Sequence, residues 1–389
     1  MPETTGGSSP IPFSRTYIYG NEIDFIQKTI ETGRLSGPGP QSEACERQIR
    51  ETVSAPWAAV VPSCTAALEM AALLIGLAPG DEVIMPSFTF VSTATSVVLR
   101  GAIPVFADID PVTLNLCPDA AAAAITPRTK AIFVVHYAGV VADMDRLGKL
   151  ATEHGLAIVE DAAQAYGAKR GGRPAGSYGA AAGFSFHGTK NIGAGEGGAL
   201  VVNDPALVER AAILRDKGTD RGKFLRGEVD AYSWQDVGSS QIVSELTAAF
   251  LHAQLLQADA IRSERLALWQ GYQDALREAE GAGHFTLPHP PADAEHNGHI
   301  FFLMLPDASA RRDLSAHLAR NGITASPHYV PLHTAPAGRR FGRTSGSLTM
   351  TDRAGECLLR LPLWNGLGDD LHRVTGAVLS WCADRRAAA

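Results

Sequence analysis

The sequence is poor in cysteine and has no long apolar run. Its cysteines are odd in number, scattered and without CxxC spacing, which excludes a disulfide framework or a zinc site as the basis of the fold: they are Cys45, Cys64, Cys117, Cys357 and Cys382. No apolar run approaches the roughly 18 residues that a membrane-spanning helix needs. The polar start of the chain lacks the pattern of a secretory signal. We therefore expect a cytoplasmic protein that does not contact a membrane.

Basic residues are outnumbered by acidic residues, and lysine is rarer than arginine. The formal net charge of −7 argues against a general nucleic-acid surface. The sequence contains seven lysines against 27 arginines, so a lysine beside an apolar strand is conspicuous. The apolar fraction of 45% and charged fraction of 19% are those of an ordinary globular protein. A length of 389 residues suits two domains better than one.

Short apolar runs alternate with helical patterns over the first half of the chain. This alternation predicts βαβ units and a mainly parallel sheet buried on both faces. Strands are expected at 58–61, 82–85, 105–108, 131–136, 157–160, 182–186 and 199–202, and helices at 23–32, 65–75, 90–100, 119–125, 144–154 and 205–215. A long helical stretch at 244–280, with a kink near Gly271, then leads to a smaller α+β unit with strands at 300–305 and 324–329.

The predicted organisation has three parts. Residues 1–10 form a disordered start, 11–255 a large domain, and 256–389 a small C-terminal domain whose first helix bridges the two. In parallel sheets, ligands bind beyond the carboxyl ends of the strands. Polar residues in those places are therefore the candidates for a site.

Three predicted strand ends carry such residues. Cys64 and Thr65 open a helix, where free N–H groups and a hydroxyl can hold a phosphate, although a plain N-cap is the alternative. Phe88 could stack on a planar ring or belong to the core. Asp161 could hold a protonated pyridine nitrogen or simply cap a helix.

A fourth strand end carries Lys190, between the strand at 182–186 and a glycine-rich stretch. A lysine amine in a desolvated pocket can lose its proton near neutral pH and form a Schiff base. An ordinary loop lysine is the alternative from this stretch alone. Pyridoxal 5′-phosphate explains all these signals jointly: Schiff-base lysine Lys190, ring-nitrogen partner Asp161, stacking residue Phe88, phosphate cup Cys64, Thr65 and Ser185, and phenolic-oxygen neighbour Gln164.

The motifs around these residues resemble the DegT/StrS family of nucleotide-sugar aminotransferases. The resemblance runs from about Ile11 to Trp381 and rests on the segments 62–70, 85–93, 159–164, 184–191 and 195–199. It implies an α/β fold of the pyridoxal-phosphate-dependent transferase fold type I, with a large domain around a mainly parallel seven-stranded sheet and a small C-terminal α+β domain. It also implies a homodimer with each site at the interface.

Within the family, the chain is most similar to the dTDP-4-amino-4,6-dideoxygalactose transaminase type, which acts on dTDP-4-keto-6-deoxy-D-glucose. Many members carry Asn where this chain has Ser240, and Arg where it has Ile242. Ser240 is then expected to reach the partner subunit's phosphate. The resemblance suggests substrate contacts by His187, Lys217, Arg221, Tyr329 and His333, with structural histidines as the alternative.

The implied reaction moves the amino group of L-glutamate to the C4 ketone of the dTDP-sugar, with pyridoxamine 5′-phosphate as the intermediate form of the cofactor. Lys190 would relay the proton, and no metal is expected. Sugar dehydratases of the family carry histidine in place of this lysine, so Lys190 favours the aminotransferase. A C3 transaminase and a non-catalytic regulatory protein on the same fold are the alternatives.

Overall fold

A computed structural model describes the backbone of residues 9–388 and the side chains of residues 9–385. Most of the start predicted to be disordered, residues 1–10, lies outside this described part. Among the described helices, none combines the length and apolar character needed to cross a bilayer.

Strands and helices alternate from residue 57 to residue 161, as the apolar pattern predicts. The helices are α1 (Glu22–Glu31), α2 (Pro40–Val53), α3 (Cys64–Leu74), α4 (Val91–Val98), α5 (Pro118–Ala123), α6 (Met144–His154), α7 (Val208–Arg215), α8 (Arg221–Leu225), α9 (Glu245–Leu255), α10 (Ala258–Gly281), α11 (Ala308–Arg320), α12 (Pro336–Phe341), α13 (Thr349–Cys357) and α14 (Asp370–Ala388). The strands are β1 (Trp57–Val61), β2 (Glu82–Pro86), β3 (Ile103–Ala107), β4 (Thr129–Val135), β5 (Ala157–Asp161), β6 (Lys169–Arg170), β7 (Arg173–Pro174), β8 (Ala181–Ser185), β9 (Gly198–Val202), β10 (Ala294–Glu295), β11 (Phe301–Met304), β12 (Arg343–Thr344) and β13 (Leu358–Leu361).

The central sheet has the strand order β1-β9-β8-β5-β4-β2-β3-β12. Only β9 runs against its neighbours, and every other pairing is parallel. Seven of these strands span five to seven residues, and β12 adds a two-residue edge. The prediction of a mainly parallel sheet is therefore confirmed, and the sheet has one short strand more than the seven predicted.

Helix α3 lies directly against the middle of this sheet. The Ser63 hydroxyl accepts a hydrogen bond from the Ala66 N–H at 3.1 Å and so caps the helix start. A Cβ atom added at Gly198 would lie 2.4 Å from the Cys64 backbone nitrogen. Only glycine permits this approach, which brings the first turn of α3 beside β8 and β9.

The C-terminal part has its own apolar core. Strands β11 and β13 pair antiparallel, and α10, α11 and α14 pack around them through buried side chains such as Trp269, Tyr272, Leu314 and Val378. The strand predicted at 324–329 is wrong: only Ser326 forms a bridge there, to Arg360 in the unpredicted strand β13.

The long helical stretch is broken at residues 256–257, between α9 and α10, and not at Gly271. Gly271 lies inside α10, where an added Cβ would meet the Leu371 side chain at 2.7 Å. This glycine therefore permits close packing of α14 onto α10, and the kink predicted near it is wrong.

An edge of the sheet is held by the buried carboxylate of Glu82 at the start of β2. It accepts hydrogen bonds from Arg343 at 2.7 Å, Thr126 at 2.7 Å and Arg128 at 2.5 Å. The Arg343 guanidinium, helped by the other two donors, lowers the pKa of Glu82 from its ordinary value of 4.5 to about 2. This carboxylate ties β12 to the sheet.

Glu82→Gln should therefore lower the free energy of unfolding at neutral pH by about 2 kcal/mol, because buried charge-assisted hydrogen bonds are lost. The control is Asp119→Asn, which removes an exposed ion pair with Arg146 and should cost less than about 0.5 kcal/mol. Urea denaturation followed by circular dichroism measures both.

The effect of Glu82→Gln should depend on pH with a defined sign. Because the folded-state pKa of Glu82 is depressed, its contribution is complete above the unfolded value of 4.5 and is lost as pH falls toward about 2. The stability difference between wild type and variant should narrow from about pH 5 to about pH 3. A difference that stayed constant over this range would contradict the assignment.

Candidate active site

A cavity of about 510 Å³ opens beyond the carboxyl ends of β5 and β8, beside the start of α3. This is where a parallel sheet is expected to bind ligands. The predicted site residues that line it are Cys64, Thr65, Asp161, Gln164, His187, Lys190 and Tyr329.

Lys190 lies in the turn that follows β8, and its N–H donates to the His187 carbonyl at 2.9 Å. Burial lowers the pKa of its amine, and the charge of Arg360 acts in the same direction, while Asp161 opposes the shift. Because the neutral form of an amine is the one that attacks a carbonyl, a lowered pKa enlarges the reactive fraction of this lysine. The predicted role of Lys190 is thus consistent with its surroundings.

Asp161 ends β5 and is 5% exposed. Its Oδ2 accepts a hydrogen bond from the Thr93 hydroxyl at 2.7 Å, and its Oδ1 accepts one from the Ala163 N–H at 3.2 Å. Burial raises the pKa of Asp161 against these hydrogen bonds. A cationic group placed against this carboxylate from the cavity would keep it ionised.

The first turn of α3 presents Cys64 and Thr65 to the cavity. The first N–H groups of a helix have no partner inside the helix, and the dipole there favours an anion. The Thr65 and Ser92 hydroxyls are hydrogen-bonded to each other at 2.7 Å and both line the cavity. Ser185, the third predicted member of this cup, does not line the cavity, and its hydroxyl lies 3.4 Å from the His187 N–H.

The predicted stacking residue Phe88 belongs to the core. It is 1% exposed, and its ring contacts Tyr137, His328 and Tyr329. Phe90, two residues later, is 56% exposed and lines the cavity. Phe88 is therefore reassigned to the core, and Phe90, the N-cap residue of α4, replaces it as the candidate for stacking because the chain turns there from the sheet into the helix.

Gln164 and Tyr329 are joined across the cavity wall. The Gln164 Oε1 accepts a hydrogen bond from the Ala138 N–H, and its Nε2 donates to the Tyr329 hydroxyl, both at 2.7 Å. The Tyr329 ring is stacked on His328 with centroids 3.7 Å apart. These contacts fix the orientation of the Gln164 amide, which can then hold a ligand oxygen nearby.

Four other predicted residues lie away from this cavity. His333 lies 2.9 Å from the Ser87 hydroxyl and 3.2 Å from Asp352, which indicates a structural role. Lys217 and Arg221 both contact Asp216, at 2.8 and 3.4 Å, on an exposed loop that also includes Ser240. Within one chain, the loop residues therefore do not reach Lys190.

Sequence reasoning missed several residues of the site: Phe90, Thr93, Glu196, His328 and Arg360. Arg360 is the clearest omission, because an arginine within the apolar run 357–363 is a visible anomaly. It was missed because strand β13 was not predicted.

Comparisons with known proteins agree with the fold. Residues 17–379 match the DegT/DnrJ/EryC1/StrS aminotransferase family. Over 92% of this chain and 94% of the relative, the sequence is 35% identical to the spore coat polysaccharide biosynthesis protein SpsC of Bacillus subtilis strain 168.

Two solved structures are similar over nearly the whole chain. The aminotransferase TlmJ from Streptoalloteichus hindustanus is 30% identical, with a TM-score of 0.89 and coverage of 98% of this chain and 100% of that chain. DesV from S. venezuelae, solved in complex with a ketimine intermediate, is 34% identical, with a TM-score of 0.88 and coverage of 96% and 99%. These likenesses confirm the predicted fold of pyridoxal-phosphate-dependent aminotransferases, and the chain belongs to the DegT/DnrJ/EryC1/StrS aminotransferase family.

Proposed function

We propose that this protein is a pyridoxal-phosphate-dependent aminotransferase that moves the amino group of L-glutamate to the C4 ketone of dTDP-4-keto-6-deoxy-D-glucose. The observation that carries the cofactor assignment is the meeting of Lys190, Asp161 and the first turn of α3 on one cavity. The product would be a dTDP-4-amino-4,6-dideoxyhexose.

The residues of the cavity fit the cofactor by their chemistry. The α3 N-terminus with Thr65 and Ser92 would hold the phosphate, Phe90 would stack on the ring, and Asp161 would hold the protonated ring nitrogen. When bound, the cofactor supplies a ring that withdraws electrons from the substrate bond being broken. A Phe90→Leu variant that retained the cofactor as tightly as wild type would contradict the stacking assignment.

The proton transfers of the reaction fall to Lys190. Burial lowers the pKa of its amine, so the neutral amine would accept a proton from the donor's carbon in the first half of the reaction. It would donate a proton to the acceptor carbon in the second half. Asp161, which is shielded from water and oriented by Thr93, would hold the protonated ring nitrogen. Gln164 and Tyr329, which are hydrogen-bonded to each other and both line the cavity, would orient the bound ring.

The choice of sugar rests on the resemblance of the motifs and on the sugar-related name of SpsC. A 3-keto sugar is the second candidate for the acceptor. The decisive experiment is turnover with ¹⁵N-labelled L-glutamate and dTDP-4-keto-6-deoxy-D-glucose, followed by NMR of the product.

We expect ¹⁵N on C4 of the sugar in wild type, and a rate at least about 10²-fold lower in Lys190→Ala, because the general base is lost. If the enzyme instead placed ¹⁵N on C3 of a 3-keto sugar, the acceptor would be the second candidate and not dTDP-4-keto-6-deoxy-D-glucose. Cofactor binding without transfer to any keto-sugar would contradict the proposed function and favour a regulatory protein.

We further propose a homodimer in which the loop 216–240 completes the partner's cavity. This loop carries large apolar side chains with high exposure, among them Trp234 at 80% and Leu225 at 62%. It also carries Lys217, Arg221 and Ser240, none of which reaches the cavity of its own chain. A second copy would cover the apolar surface and receive the basic residues as contacts for the nucleotide phosphates.

The division into domains at residues 255 and 256 also remains a proposal. It is supported by the break between α9 and α10 and by the separate apolar core around β11 and β13. The small domain would carry Tyr329 and Arg360 to the cavity.

Complementation tests the shared site. A Lys217→Ala/Arg221→Ala variant should show a raised KM for the nucleotide sugar with a smaller change in kcat, because phosphate contacts supply uniform binding. Mixed dimers of this variant with Lys190→Ala should regain low-KM turnover, since one of the two sites then has both an intact lysine and an intact partner loop. Mixed dimers without recovered low-KM turnover, or a monomeric active enzyme, would contradict the proposal.

A further inference from the structure

Two buried threonine hydroxyls are linked in series to the carboxylate of Asp161. The Thr93 hydroxyl donates to Oδ2 of Asp161 at 2.7 Å, and the hydroxyl oxygens of Thr89 and Thr93 lie 2.9 Å apart. Thr93 is 0% exposed and Thr89 is 1% exposed, and Thr89 lines the main cavity. Thr89, Thr93 and Asp161 therefore form one hydrogen-bonded row, which we call the hydroxyl chain.

The direction of the hydroxyl chain follows from the number of protons available. A threonine hydroxyl has one proton to donate and two lone pairs that accept. Because the Thr93 proton is used on the Asp161 carboxylate, the proton between the two threonines comes from Thr89. The chain thus runs from Thr89 through Thr93 to Asp161, and each hydrogen bond polarises the next.

The hydroxyl chain favours the ionised form of Asp161. Burial raises the pKa of this carboxyl, and the Thr93 hydroxyl is the foremost group that opposes the rise. The Ala163 N–H, Lys190 and His136 act in the same direction as Thr93 but to a smaller extent. Since a hydrogen bond donated to the charged form of an acid stabilises that form, Thr93 is the main protein group that keeps Asp161 ionised.

The other side chains beside this carboxylate do not replace Thr93. The Cys64 sulfur lies 4.0 Å from Oδ1 of Asp161, and a thiol is a weak donor. Burial and the charge of Asp161 raise the pKa of this thiol well above its usual value, so the thiol stays protonated and adds no charge. The Ser92 hydroxyl, next to Thr93 in α4, is hydrogen-bonded to Thr65. Helix α4 therefore acts on Asp161 through Thr93.

We propose that Thr89 and Thr93 are positioning residues that act through Asp161 to keep the cofactor's ring nitrogen protonated. This inference rests on the proposed function. A proton between a carboxylate and a pyridine nitrogen can lie on either atom, and the hydroxyl chain stabilises the carboxylate that has no proton. The proton then lies on the ring nitrogen, and a cationic ring withdraws electrons more strongly than a neutral one.

NMR of the protein loaded with pyridoxal 5′-phosphate that carries ¹⁵N at the ring nitrogen reports the position of this proton directly. In wild type we expect the chemical shift of a protonated ring. Thr93→Val removes the hydroxyl with little change of shape and should move the shift toward that of an unprotonated ring. Thr89→Val should move it in the same direction by less, because the direct donor loses only its polarising partner. Thr93→Ser should return the wild-type shift, because the hydroxyl is restored.

The affinity for the cofactor is the second readout, measured by titration of the visible absorbance. Thr93→Val should raise the dissociation constant about tenfold, as expected for a lost hydrogen bond to a charged group. Thr95→Val is the matched control, since Thr95 is exposed on the same helix and does not line the cavity. It should change neither the affinity nor the chemical shift.

An unchanged ring-nitrogen shift in the loaded Thr93→Val protein would overturn the inference, and weaker cofactor binding alone would then indicate a structural role. A Thr89→Val shift equal to that of wild type would overturn the hydroxyl chain. An unprotonated ring in wild type would overturn the inference together with the assignment of Asp161. If wild type holds the cofactor with a protonated ring but transfers no amino group, the proposed function fails and this inference stands. If wild type binds no cofactor, both fail.

Discussion

The site depends on one close packing contact, between the first turn of α3 and the start of β9. Because Gly198 has no side chain, the backbone of Ser63 and Cys64 can lie against β9. This contact places a helix N-terminus, which favours an anion, beside the strand that leads to Lys190. Any larger residue at 198 would separate the predicted phosphate cup from the Lys190 amine.

The cavity beside this contact contains charged side chains of both signs, and burying any one of them without a partner would cost free energy. The carboxylate of Asp161 is buried, and its donors are the Thr93 hydroxyl, the Ala163 N–H and, at 4.0 Å, the Cys64 thiol. Lys190 and Arg360 are cationic groups on the same cavity, and burial lowers the pKa of both. The proposed cofactor has an anionic phosphate and a protonatable ring nitrogen, which would compensate the N-terminus of α3 and the carboxylate of Asp161.

Much of this arrangement could be predicted from the sequence. The alternation of apolar strands and helices predicts the parallel sheet, and polar residues at strand ends predict the positions of Cys64, Asp161 and Lys190. These are local signals: each depends on a strand end and the few residues that follow it. They remain readable without knowledge of how distant segments pack.

The failures have a common cause in long-range packing. Phe88 and Phe90 both follow β2, and only the direction in which the chain leaves the strand decides which ring faces the cavity. Arg360 lies on β13, and the short sequence of this strand does not show that it pairs with β11, whose residues lie 54 to 60 positions earlier in the chain. Gly271 is typical of a kink, yet it serves the packing of Leu371.

The central claim is that the cavity holds its cofactor through Lys190, and chemical labelling tests it most directly. Borohydride reduction of the cofactor-loaded protein, followed by peptide mass mapping, identifies the lysine that carries the cofactor. We predict label on Lys190 and on none of the other six lysines. Label on another lysine, or a loaded protein without any labelled lysine, would contradict the account.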